Sequence, residues 1–86
     1  MPAGANLTGL SSDIAISPNP VVDVLRIVIE KSYKLEVLSL SGRLLGTYQL
    51  NSRENYIDMS TLPSGVYVLR LIDDNGDVSS YRLIKE

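Results

Sequence analysis

Apolar and polar residues alternate along most of this chain with a period of two. In Asp23–Ile29, Leu25, Ile27 and Ile29 fall on one side, and Val24, Arg26 and Val28 on the other. Tyr33–Leu40 sets Leu35 and Val37 against Lys34 and Glu36, and Val66–Ile72 sets Tyr67, Leu69 and Leu71 against Val68 and Arg70. Side chains that alternate between two faces belong to half-buried strands. Further strands are expected over Asp13–Ser17, Leu44–Leu50 and Val78–Lys85. Turn residues recur about every ten positions, as in all-β sandwiches. Ser41-Gly42 turns the chain between two strands, and Asp73-Asp74-Asn75-Gly76-Asp77 carries an Asn-Gly hairpin signal. Gly46 interrupts its strand where a bulge is expected.

Asn51–Ser60 is the one ambiguous segment. Asn51 followed by Glu54 resembles a helix capping box. Tyr56-Ile57 and the nearby Pro63 favour a strand, which is the preferred reading. The total is about seven strands, and the fold class is an all-β, immunoglobulin-like antiparallel sandwich. Met1–Ser12 is small and polar and reads as a flexible lead, its first residues as additions from expression, with the folded domain over residues 13–86. The lead has neither the basic region nor the apolar stretch of a secretory signal, so the chain reads as a module excised from a longer precursor.

Composition then narrows the chemistry. The 86 residues contain no cysteine and no histidine. That removes disulfides, thiolates and the commonest general base and metal ligand. A domain this small buries only about 60% of the surface its unfolded chain exposes, so its core must hold the fold unaided. Net charge is −2 with both signs scattered, and no basic block tracks a phosphate backbone, so no nucleic-acid partner is expected. No apolar run is long enough to span a bilayer. The serines have no histidine to activate them, and no catalytic residue, metal site or cofactor is proposed.

Four motifs remain. The acidic stretch Asp73–Asp77 has oxygen ligands for calcium but lacks the rest of an EF-type loop, and a solvated turn is the preferred reading. Gly65-Val66-Tyr67 has the placement of a tyrosine corner, in which the hydroxyl bonds back to the corner's backbone. Pro18-Asn19-Pro20 fixes the crossing from the first strand to the second and blunts an edge, in preference to presenting a receptor loop. In Arg82-Leu83-Ile84-Lys85, Leu83 packs inward beside Tyr81, while Arg82 and Ile84 point out. This strand reads first as one that completes the sheet; at an edge it could also pair with a partner strand or support weak homodimerisation.

The order and spacing of these motifs resemble the C-terminal sorting domains of type IX (Por) secretion cargo in Gram-negative Bacteroidota. The resemblance covers about residues 13–86. It rests on Pro18-Asn19-Pro20 with Asp23, on Gly42, on Leu62 with Gly65-Val66-Tyr67, and on Arg82-Leu83-Ile84-Lys85. Ser17, Ser39 and Arg82 depart from the residues common in that family, and Glu86 follows the final lysine. The resemblance implies a non-enzymatic secretion signal fused to an N-terminal cargo domain. It implies passage through the periplasm, an outer-membrane translocon, and a sortase-like cysteine protease that cuts between about Ala5 and Asp13. The cargo then ends at the outer-membrane surface or outside the cell. The resemblance assigns recognition to Gly65, Tyr67, Arg82, Leu83, Ile84 and Lys85, and structural roles to Pro18, Asn19, Pro20, Asp23 and Gly42. The rival reading is a carbohydrate-binding or fibronectin-like accessory module of a secreted enzyme or adhesin.

Overall fold

A computed structural model describes residues 14–86. The expected flexible lead, and Asp13 at the start of the first strand, lie outside the described residues. Seven strands follow one another with no helix among them: β1 (Ile14–Ser17), β2 (Val24–Ile29), β3 (Tyr33–Ser39), β4 (Leu44–Leu50), β5 (Glu54–Asp58), β6 (Gly65–Ile72) and β7 (Val78–Lys85). They form two antiparallel sheets, β1-β2-β5 and β4-β3-β6-β7. Packed face to face, these are the layers of an immunoglobulin-like sandwich.

The alternation seen in the sequence sets which faces meet. Leu25, Ile27 and Ile29 of β2 are buried, as are Leu35 and Val37 of β3 and Tyr67, Leu69 and Leu71 of β6. Ile14, Ile57 and Leu83 join them from the flanking strands. The ambiguous segment is a strand, β5, because it pairs with β2 from Val24↔Asp58 to Val28↔Glu54. The capping-box residues are engaged elsewhere: Glu54 pairs with Arg26, and Asn51 Oδ1 accepts from Gln49 Nε2 at 3.2 Å.

The expected bulge is present. Val37 pairs with Gly46 but Leu38 pairs with Leu44, so Leu45 is the extra residue. Gly46 is roofed by the Tyr48 ring, and a Cβ there would come within 3.3 Å of it. An aromatic ring thus covers the gap that a glycine leaves in an edge strand.

The pairings give the sandwich two distinct ends. At one, β1 begins and the β2–β3, β4–β5 and β6–β7 connections turn, with Ile29 N–H donating to Arg53 O at 2.8 Å and Lys31 Nζ to Asp73 Oδ2 at 3.1 Å. At the other lie the Pro18-Asn19-Pro20 loop, the β3–β4 turn with Gly42, the corner before β6 and the end of β7. The described fold is entered at Ile14, at the end opposite these motifs. The longest dimension is 39 Å.

Candidate functional site

The motif-bearing end is held together by one asparagine. Asn19 Nδ2 donates to Arg82 O at 3.0 Å, and its Oδ1 accepts from Ile84 N–H at 2.9 Å. The carboxamide therefore imitates one residue of a pairing strand along β7. Val21 continues that pairing: its N–H donates to Ile84 O at 2.8 Å, and its carbonyl accepts from Glu86 N–H at 2.9 Å. The bridge from Val21 to Lys85 is parallel, and Val21 itself is fully buried. Proline brackets Asn19 on both sides and contributes no backbone donor, so the side chain does the pairing. The expected role of this motif, to blunt an edge, thus falls on β7.

That changes the picture of the closing strand. β7 lies at a sheet edge as expected. Its outward backbone groups from Arg82 O to Glu86 N–H are already taken by Asn19 and Val21, so that stretch has no room for an added partner strand or for edge-to-edge dimerisation. Its side chains divide cleanly: Leu83 is fully buried, and Lys85 is 8% exposed on the same side, its Nζ donating to Glu86 O at 2.8 Å. Arg82 and Ile84 face outward.

The corner before β6 has the expected tyrosine bond. Tyr67 Oη donates to Pro63 O at 2.5 Å, four residues upstream, and the ring is buried. Gly65 has φ of +156°, a region essentially closed to residues with a Cβ. It pairs with Lys85 across the sheet, and Leu62 packs partly buried against the core. Gly42 has φ of +91° in the β3–β4 turn, whose loop is closed by Ser39 N–H to Arg43 O at 2.9 Å. Asp23 precedes β2, and its carbonyl accepts Met59 N–H at 2.7 Å, tying β2 to the residue after β5.

The acidic turn is at the opposite end, and its chemistry is that of a hairpin. Asp73 Oδ1 accepts the N–H groups of Asn75 and Asp77, both at 2.9 Å, and Oδ2 accepts from Lys31. Burial pushes the Asp73 carboxyl upward, but the bonds from Lys31, Asp77 and Asn75 outweigh it and hold the group below the usual carboxylate range. Among the described residues no group of three His, Cys, Asp or Glu side chains is placed to hold a metal ion.

Two core residues escaped the sequence pattern, Val21 and Met59. Each lies just outside a strand, where alternation carries no information. The signal for Val21 is the Val21-Val22 pair after Pro20, of which one side chain is buried and the other exposed.

The fold and this end therefore define a small sandwich that presents a shaped surface and anchors its own closing strand. The family model of the secretion system C-terminal sorting domain matches residues 15–86. The chain belongs to this family, the sorting domains of type IX secretion, and acts as a secretion signal. A signal of this kind is not itself catalytic, and its cargo is secreted across the outer membrane. No curated protein shows significant similarity to the chain.

Proposed function

We propose that the motif-bearing end of the sandwich is what the outer-membrane translocon engages, while cargo precedes Ile14 at the opposite end. One observation carries this reading. Pro18-Asn19-Pro20, Asp23, Gly42, Gly65, Tyr67 and Arg82–Lys85 are far apart in sequence, yet they gather at one end of the fold. Asn19 joins the opening loop to the closing strand, so the end forms only once the domain has folded. The machinery then reads a folded address, with cargo trailing behind it.

In this reading a precursor crosses the periplasm and is delivered through the translocon. A sortase-like cysteine protease at the surface cuts in the segment between about residues 5 and 13, and the cargo is anchored there or released. Arg82 and Ile84 contact the machinery, whereas Leu83 and Lys85 serve by packing, as their burial supports.

The test fuses a signal peptide and a reporter to this chain in a type IX-competent cell. Removal of Leu83–Glu86 is expected to strand the reporter in the periplasm, and normal export of the truncated fusion contradicts the reading. Because Leu83 is fully buried, the truncated domain's melting is measured alongside. The released reporter is expected to end within residues 5–13 by mass; a terminus beyond Ile14 argues against the assigned cut.

A further inference from the structure

Strand addition at Arg82–Glu86 is excluded by Asn19 and Val21, so a partner of this part of β7 must read side chains. The outward ones are Arg82 and Ile84, and the register shows what lies beside them. Arg82 is opposite Val68, Val68 opposite Leu38, and Leu38 opposite Leu44, while Ile84 is opposite Val66. Five apolar side chains from four strands thus form one patch on the outer face of the four-stranded sheet, at its motif-bearing end. Leu44 and Ile84 are 53% and 46% exposed. The other half of the same face is mixed: Glu36 lies 3.6 Å from Arg70 Nε and 3.7 Å from Lys34 Nζ, with Ile72 and Val78 beyond them.

The cations around this patch are distributed unevenly. Arg26, Arg53 and Arg70 each have a carboxylate partner, in Glu54, Glu30 and Glu36. Among the described residues Arg82 has none. Arg82 ends the row on β7, so the apolar row Leu44–Leu38–Val68 runs into an arginine that has no carboxylate partner. From Leu44 to Arg82 the row spans three inter-strand steps of about 4.8 Å each.

We propose that this patch is the docking surface for a protein of the secretion machinery, one offering an apolar strip with a carboxylate placed to meet Arg82. The inference rests on the sorting reading above and adds to it the face that is read. Exposed apolar area at a patch centre with an arginine at its edge matches the anatomy of protein interfaces.

The test uses the reporter fusion of the full chain, with export scored as the extracellular fraction and each domain's melting temperature measured separately. Leu44→Ser combined with Ile84→Thr, and separately Arg82→Glu, are expected to cut export at least about tenfold with melting close to the parent's. Arg82→Lys is expected to keep most of it. The control pair Val24→Thr and Tyr56→Thr, exposed on the other sheet, is expected to export normally. Parental export of both patch variants overturns the inference while leaving the sorting reading intact, and so does an equal loss in the control. Dimerisation of the parent domain that is lost in a patch variant exporting normally assigns the patch to a second copy instead. If the unaltered domain directs no export, both readings fall.

Discussion

Single side chains at this end act mainly by completing backbone pairing that the strands leave unfinished. Tyr67 is the clearest case, because its hydroxyl has one partner, Pro63 O, in a half-buried setting. Tyr67→Phe is expected to lower stability by about 1 kcal/mol and Tyr67→Ala by about 3–5 kcal/mol in urea denaturation. Equal losses would mean that the hydroxyl contributes nothing. Gly65→Val is expected to destabilise by about 1–3 kcal/mol from backbone strain alone, since nothing lies within 4 Å of the added Cβ. If a variant at this corner melts like the parent but fails in export, the corner is a contact. At the far end, the Asp73 carboxyl titrates below its unfolded value because its bonds to Lys31 and the turn outweigh burial. Its contribution is therefore complete above the ordinary aspartate pKa of about 3.9 and is lost as pH falls through the lower folded value. Asp73→Asn is expected to flatten the stability profile below about pH 4, and an unchanged acid slope contradicts that assignment.

Among the elements, β7 depends on the opening loop more than its place in the chain suggests. It pairs with β6 along one side, and on the other it is held by a side chain more than sixty residues earlier. Asn19→Ala removes two hydrogen bonds and is expected to cost about 1–3 kcal/mol. Asn19→Asp keeps an acceptor for Ile84 but sets a carboxylate oxygen against Arg82 O, so it is expected to rescue only in part. Amide exchange at Ile84 should rise in both variants relative to Leu69 in the core; protection at Ile84 unchanged in Asn19→Ala would show that the clamp is dispensable. The strands themselves were legible in the sequence because each central one has a wet face and a dry face. β5 was harder, since Asn51 and Glu54 also suit a helix start, and only pairing with β2 decides between them. The Asn19 clamp was not legible at all. Two prolines announce a rigid turn, but nothing local says which distant backbone a carboxamide will meet. Lys85, which the family resemblance assigns to recognition, lies buried on the side of Leu83, as its place two residues further along the strand requires.

For the molecule as a whole, polarity along the long axis matters most. Ile14 and the motifs lie at opposite ends of the same sandwich, and the outer face of its larger sheet carries Lys34, Glu36 and Arg70 toward one and only apolar side chains beside Arg82 toward the other. A sandwich of this size without a disulfide has a thin margin of stability, so the recognised surface exists only while the core is intact. In the proposed reading folding is thus the condition for being read, since motifs scattered along the chain gather only in the folded state. The candidate residues were legible from their resemblance to a family, but their convergence was not, because it depends on long-range pairing between sheets. The most direct measurement is the extracellular fraction of a signal-peptide reporter carrying this chain, compared between cells with and without the type IX translocon. The account predicts a reporter outside the first cells and trapped in the periplasm of the second. Equal amounts outside both, or none outside the first, would contradict it.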